Sequence, residues 1–469
     1  MNVAEEAQRT LSVGFAAIAD QYRLPVDFPA DVNDAAAHVV AERGPDGKPA
    51  WSANRNDRTD MNFVTLDPAS STDLDQAFSL DVDGDQIVLS YALADVGAFV
   101  ETGGVIETEG WQRGVTIYGL AEKVPLYPKV ISQNVASLLP NGPRPAILVV
   151  VAIAPNGQVK LRSVERAIVS SRAKLAYESV DIAMIPHLAE FAKRMWTDEV
   201  ARGAVRIDFP QQEVVVDGSA PGGVRLDFRA RVESEVVNSA LSLAVNLALA
   251  ALMDRAKIGV FRVMDDPEPR VLATLRRVAH ALGIRWARSE SLRDLQKRMD
   301  PNNSVHQRFL LDAQRSGGRA GYAVYSDEKR PWHSAVAATY AHATAPMRRL
   351  ADRYVLDLSH RLANNETVPS DLRAKLARLP DVMERGEERG ASVERAIIDL
   401  LEAVSLQHRI GDILDAEVVD ANDEIVQVAD PAIRARVADL SGAAEGDIIR
   451  VRIDSADPLT RKVRLTAIQ

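Results

Sequence analysis

Three aspartates, Asp67, Asp73 and Asp75, fall within one short segment, Thr65-Leu66-Asp67-Pro68-Ala69-Ser70-Ser71-Thr72-Asp73-Leu74-Asp75-Gln76-Ala77-Phe78. Apolar residues lead in at Phe63, Val64 and Leu66 and lead out at Ala77, Phe78 and Leu80. Carboxylates this close repel one another unless a cation lies among them or one takes up a proton. Hard oxygen ligands suit Mg²⁺, which keeps several waters and shares a phosphate with the protein. The chemistry this spacing points to is metal-assisted attack on a phosphate ester. The competing reading is a polar loop whose aspartates serve as turn formers or helix caps.

Such a loop needs flanking elements to hold it. Residues 62–66, 77–82, 86–94 and 146–154 carry strand patterns, and Ala146 to Ile153 is apolar throughout, as in a strand buried on both faces. Asp83-Gly84-Asp85 and Pro155-Asn156-Gly157 are expected hairpin turns. Residues 3–22 form an amphipathic helix pattern, and residues 23–56, punctuated by Pro25, Pro29, Gly44, Pro45 and Gly47, a polar lead-in. An apolar helix is expected over 233–256, with further helices at 268–283, 304–315, 346–363 and 380–409. Five short β patterns follow near 412–419, 424–428, 432–437, 447–453 and 461–467, with turns at Asn422-Asp423, Gly442 and Asp457-Pro458. Five strands in that length suit an OB-type barrel. The expected class is α+β: a large mixed-sheet domain over 57–409, preceded by a short helical lead-in over 1–56 and followed by a small all-β OB-type barrel over 410–469.

Composition narrows the setting. The chain has 469 residues, 46% hydrophobic and 26% charged, and no cysteine. Disulfides, thiolate metal sites and cysteine nucleophiles are therefore excluded. The first residues lack a signal-peptide pattern, and no uninterrupted apolar run reaches the ~18 residues of a membrane span. The expected location is cytoplasmic, with no membrane partner. The net charge of −10 argues against a uniformly basic nucleic-acid surface, although Arg276-Arg277, Arg285, Arg288, Arg348-Arg349 and Arg353 form local basic clusters.

Several segments together resemble the catalytic domain of the ribonuclease II family of exoribonucleases. Asp67, Asp73 and Asp75 are similar to its metal-binding motif, and Tyr91-Ala92-Leu93-Ala94-Asp95-Val96 to the core strand after it. Gly114-Val115-Thr116-Ile117-Tyr118, Pro125-Leu126-Tyr127-Pro128 and Ser132 to Pro140 resemble its glycine-tyrosine segment. Tyr340-Ala341-His342-Ala343-Thr344-Ala345-Pro346-Met347-Arg348-Arg349-Leu350-Ala351-Asp352 resembles its arginine-bearing helix start. Together these cover about 57–469, in a variant without an N-terminal pair of cold-shock-type domains.

The resemblance implies hydrolysis of single-stranded RNA from its 3′ end to 5′-nucleoside monophosphates with Mg²⁺, or Mn²⁺ in its place. Asp67, Asp73 and Asp75 would ligate the metal, and Asp75, with Asp73, would position or deprotonate the attacking water. Arg348, with Arg349 beside it, would clamp the phosphate, since a guanidinium fork matches its oxygens. Tyr118 would stack on terminal bases, and Tyr177 would lie near the 3′ nucleotide. Two departures matter. The fourth acidic position of the first motif is Gln76, whose carbonyl can ligate a cation but brings no charge, so weaker metal binding is expected. Near the helix at 233, where relatives place acids against the terminal ribose, this chain has Asn238 or Ser239, so discrimination against DNA is expected to be softer. Two alternatives stand beside hydrolysis of RNA: a catalytically weakened RNA-binding protein on the same scaffold, and a phosphohydrolase for a small ester.

Overall fold

The computed structural model describes residues 3–44, 47–119, 123–204, 211–216, 224–300, 303–316, 318–421, 423–440, 442–444 and 446–468. Pro45 and Asn422, two breakers in the sequence reading, lie outside the described residues.

A seven-stranded mixed sheet forms the centre. Its strands are β1 (Asn56–Asp57), β2 (Phe63–Asp67), β3 (Gln76–Asp83), β4 (Gln86–Ala94), β5 (Arg144–Ile153), β6 (Val159–Val169) and β7 (Ser171–Ala176). The spatial order is β1-β6-β5-β4-β3-β2-β7. The hairpins at Gly84 and Gly157 bring β3 to β4 and β5 to β6 antiparallel. β2 pairs parallel with β7, placing Asp67 opposite Ala176 and so Tyr177 just beyond it. The apolar run on β5 lies between β4 and β6 and is almost entirely buried.

Five helices belong to the same domain, α1 (Val3–Gln21), α2 (Ala30–Ala41), α3 (Val105–Arg113), α4 (Leu188–Arg202) and α5 (Glu233–Ala256); α1 packs on the long C-terminal helix of the domain, α2 on α3, and α4 on α5 and β5. α5 packs on β4, β5 and β6. It is long and apolar enough to cross a bilayer by composition, yet its Leu241, Leu249 and Met253 are fully buried in the protein core. Burying each such side chain contributes roughly 1.5–3 kcal/mol, which fixes the helix on the sheet. β8 (Gln211–Val216) and β9 (Val224–Arg229) form a separate hairpin, and β10 (Val260–Val263) pairs with β11 (Gly321–Val324). Between these last two strands, α6 (Pro269–Ala281), α7 (Leu292–Lys297) and α8 (Ser304–Arg315) make a small helical unit with its own core around Leu275, Leu295 and Phe309. α9 (Leu350–Ala363) and α10 (Ser370–Leu406) complete the domain.

The tail is a closed five-stranded barrel, β12 (Ile413–Asp420), β13 (Ile425–Val428), β14 (Ile433–Ala438), β15 (Ile448–Asp457) and β16 (Lys462–Ile468), in the order β12-β13-β14-β16-β15. Val451 and Ile453 point inward while Arg450 and Arg452 alternate with them on the outer side, as a half-buried strand requires.

Helices α3, α4 and α7 have no counterpart in the sequence reading, and three further differences have a local reason. The polar lead-in contains a full helix, α2, begun by Pro29 and carried by an Ala-rich run. α9 starts at Leu350 rather than 346, because Met347 N–H donates to Asp75 instead of joining a helix and Arg349 is extended. α10 starts at Ser370 rather than 380, since Pro380 is accommodated inside it.

Candidate active site

The aspartate loop runs from the end of β2 to the start of β3, and it is fastened at both ends. Lys174 on β7 donates to the carbonyls of Ala69 and Ser71, each at 2.6 Å. Ser137 Oγ donates to Thr72 O at 2.8 Å and accepts Leu74 N–H at 2.9 Å. Ala94 N–H on β4 reaches Asp75 O at 2.9 Å. An eight-residue polar connection is thereby held as firmly as an element of secondary structure.

The arginine segment before α9 is fixed in the same way. Ala343 N–H donates to Asn246 Oδ1 at 3.0 Å, Ala345 N–H to Asp352 Oδ2 at 2.8 Å and Met347 N–H to Asp75 Oδ1 at 2.8 Å. Thr116 N–H reaches Arg348 O, and Leu350 N–H reaches Gly114 O, both at 2.9 Å. Gly114 ends α3 at φ 72°, and a Cβ there would sit 3.0 Å from Val382 O, so this turn needs glycine.

These two segments and the glycine-tyrosine segment meet in one cavity of about 590 Å³, lined among others by Asp67, Asp73, Asp75, Tyr118, Tyr177 and Arg348. Arg348 Nε lies 3.8 Å from Asp75 Oδ2, with the arginine side chain 41% exposed and the carboxylate buried. The Tyr118 ring is 58% exposed, which rules out a core packing role for it. Tyr177 accepts a 2.7 Å hydrogen bond from Asn238 Nδ2, which also reaches Leu66 O at 3.4 Å. A second cavity of about 410 Å³ adjoins the first, shares Gln76, Tyr177 and Arg348, and adds Asn238, Ser239, Asn246 and His342. A more apolar cavity of about 440 Å³ beside Trp286 lies among α6, α7 and α8, away from the carboxylates.

Burial pushes the Asp75 carboxyl up to about 7, against the opposing pull of Arg348 and of the Met347 N–H. Burial, helped by the neighbouring Asp73, pushes Asp67 up to about 6, with Lys174 and Arg348 opposing. Carboxyls held near neutrality in this way are short of positive charge, and a divalent cation would supply it. The donors are all hard oxygens, which fits Mg²⁺ or Mn²⁺. Among the described residues no three His, Asp or Glu side chains stand close enough to cage an ion by themselves. An open set of that kind fits Mg²⁺, which completes its shell with water and substrate oxygens.

Two expectations from the sequence change here. Gln76 is committed to the protein: its Nε2 donates to Thr344 O and its Oε1 accepts from Tyr91 OH at 2.8 Å. It therefore ties β3 to the arginine segment rather than standing as a free metal ligand. Arg349 is likewise occupied. Its guanidinium donates to Asp352 at 2.7, 3.0 and 3.1 Å, and Asp352 is fully buried, so Arg349 braces the start of α9 while also lining the second cavity. It is Arg349, not Arg348, that pairs with Asp352, which leaves Arg348 to face Asp75.

Sequence reasoning passed over three contributors: Ser137 and Lys174, which hold the aspartate loop, and Lys123, whose Nζ contacts Asp73. Lys174 carried a signal, standing three residues before Tyr177 on a strand that must pair with β2. His342 is half-buried and shares a 2.9 Å hydrogen bond between its Nδ1 and Tyr322 OH. Burial first, then Arg349 and Arg262, hold its pKa well below the ordinary histidine value, so it is neutral.

Comparison with known proteins identifies the family and the fold. The RNB domain pattern matches residues 55–365, and the pattern of the RNase II-type exonuclease C-terminal S1 domain matches residues 412–468. Ribonuclease R of Mycoplasmopsis pulmonis is 24% identical over 425 residues, covering 84% of this chain and 56% of that protein. The chain thus spans about half the length of the curated relatives it matches. The structure of Mycoplasma genitalium RNase R in complex with ribose methylated single-stranded RNA superimposes with a TM-score of 0.84 at 19% identity, over 98% of this chain and 78% of that one. Yeast Ssd1, a pseudonuclease, shares the fold with a TM-score of 0.67 at 16% identity, over 90% of this chain and 53% of that one. With the domain pattern matched across most of its length, the chain belongs to the RNB-domain family of ribonuclease R and ribonuclease II, and it carries that family's C-terminal S1 domain.

Proposed function

We propose that this chain is a Mg²⁺-dependent, hydrolytic 3′→5′ exoribonuclease that releases 5′-nucleoside monophosphates from single-stranded RNA, with Mn²⁺ able to replace Mg²⁺. The observation that carries the reading is the meeting of Asp67, Asp73 and Asp75 with Arg348 across a single cavity. Mg²⁺ held by carboxylates of this trio, with water and substrate oxygens completing its shell, would supply Lewis acidity at the phosphate and a lowered pKa for water.

The chain's own groups then have separable tasks. Asp75 is buried beside the arginine and takes the proton of the attacking water. Arg348 donates to the scissile phosphate and offsets the charge that builds in the transition state. Tyr118 offers an exposed ring for sequence-tolerant stacking. Tyr177, held by Asn238, abuts the terminal nucleotide. Asn238 has its amide nitrogen committed, so any hydrogen bond to a 2′-OH falls to its carbonyl oxygen, a weaker hold than a carboxylate gives. The barrel over 410–469 adds a surface for single-stranded RNA.

A second reading, RNA binding without hydrolysis, draws on Gln76 in place of a fourth acid and on the shared fold with a pseudonuclease. The intact trio and Arg348 favour hydrolysis. Incubating 5′-labelled RNA with Mg²⁺ and then with EDTA separates the two. Hydrolysis gives a ladder shortened from the 3′ end with mononucleotide release, abolished by EDTA. A mobility shift with full-length RNA supports the second reading.

A further inference from the structure

The Lys123 ammonium contacts Asp73 Oδ1 inside the catalytic cavity. Both side chains are largely shielded, at 20% and 15% exposure, so this is not a solvated surface pair. Asp67 and Asp75 lack any comparable lysine partner in the ion pairs of the described residues: Asp75 faces the Arg348 guanidinium at 3.8 Å, and Lys174, near Asp67, spends its ammonium on the carbonyls of Ala69 and Ser71. Asp73 alone of the trio holds an ammonium in direct contact.

That contact sits where a divalent ion needs a ligand. The ammonium occupies Asp73 Oδ1, which leaves Oδ2 as that side chain's open ligand oxygen, and a fixed positive charge beside the site repels a second cation. Gln76 deepens the effect, because its amide is turned to Thr344 and Tyr91 and adds no negative charge. The same ammonium relieves the repulsion among three crowded carboxylates when no metal is present.

We infer that Lys123 is a built-in counter-ion of the aspartate trio, one that neutralises Asp73 in the metal-free protein and competes with the divalent cation for it. The inference rests on the metal-site reading under Proposed function. Lys123 is a positioning residue for the metal site, and its substitution moves metal affinity before it moves anything else.

The test is calorimetric titration of the full chain with Mn²⁺ alone, without RNA, for wild type, Lys123→Met and Lys123→Arg. Methionine keeps the length and removes the charge; arginine keeps the charge. The expected result is binding on the order of tenfold tighter in Lys123→Met, with Lys123→Arg close to wild type. The Mn²⁺-induced rise in melting temperature should be larger for Lys123→Met in parallel. Equal or weaker Mn²⁺ binding by Lys123→Met, with wild type binding normally, overturns the role of Lys123 and leaves the metal site standing. Unchanged Mn²⁺ affinity in Lys123→Met, with weaker binding of a short single-stranded RNA in a separate metal-free titration, also overturns it and assigns the lysine to the substrate phosphate. No Mn²⁺ binding by any of the three proteins overturns both this inference and the metal-site reading.

Discussion

Asp75 Oδ1 accepts the backbone N–H of Met347 at 2.8 Å, across 272 positions of sequence. One residue after Met347, Arg348 turns its guanidinium toward the other oxygen of the same carboxylate. The first acidic motif and the arginine segment are therefore one unit, and the carboxylate that faces the Arg348 guanidinium also anchors the backbone just before it.

This gives two separable outcomes at position 75. Asp75→Asn keeps an oxygen for the Met347 N–H and removes the charge. It should lower the rate of RNA hydrolysis by about 10²–10³-fold or more with a melting temperature no lower than wild type. Asp75→Ala leaves a buried N–H unpaired and should in addition cost about 1–3 kcal/mol of stability. Single-turnover rates and denaturant unfolding of both variants check this.

Gln76→Asp restores the acid that the sequence comparison leads one to expect, but the site is built around an amide. The Thr344 carbonyl can only accept, so it requires the Gln76 nitrogen, and a carboxylate there would oppose it and lose the donor. Gln76→Asp should destabilise the protein by about 1–3 kcal/mol, read from urea unfolding in EDTA. Stability equal to wild type would show that the arginine segment does not depend on this amide.

Asn238→Ala removes the hydrogen bond that holds the Tyr177 hydroxyl. A loosened ring should raise KM for RNA several-fold while kcat changes less, since about 1 kcal/mol of positioning is lost. Steady-state kinetics on a short oligoribonucleotide measure the split. A fall in kcat alone would place Asn238 closer to the reacting atoms than this account does.

The joint between α10 and the barrel predicts a pH effect. Glu402 is buried, accepts from Gln212 Nε2 at 2.8 Å and from Arg434 N–H at 3.1 Å, and is pushed up to about 7 by burial. A carboxyl raised above its unfolded value stabilises the fold while protonated, and that contribution is lost as pH rises from about 4.5 through about 7. Melting temperature should therefore fall between pH 5 and 8 more steeply in wild type than in Glu402→Gln, which carries no titrating group. Parallel curves for the two proteins would contradict this.

Much of this architecture was legible from residue patterns. β5 was readable because a strand covered on both faces has no polar residues to hide it, and the barrel because its strands alternate cleanly between turns. The aspartate trio was readable from residue type and spacing, while Tyr118, Tyr177 and Arg348 stood out only through the resemblance to the family's motifs; all of them line one cavity. Long-range hydrogen bonds were not readable. The start of α9 moved because Met347 N–H goes to Asp75, and the roles of Arg348 and Arg349 separated because Asp352 lies three positions from one and four from the other, a choice only the extended backbone at Arg349 decides. Gln76 read as a weakened ligand because its partners, Thr344 and Tyr91, lie 268 and 15 positions away. Lys123 belongs to no motif and gains meaning only from its contact with Asp73.

The most direct test of the central claim is a double-mutant cycle on the single-turnover hydrolysis of 5′-labelled RNA in saturating Mg²⁺, using Asp75→Asn, Arg348→Ala and the pair. If the two side chains act on the same phosphate as one unit, each single change should cost about 10²-fold or more and the double variant should be little slower than the worse single. Losses that simply multiply, or a single variant that cleaves at the wild-type rate, would contradict a shared site.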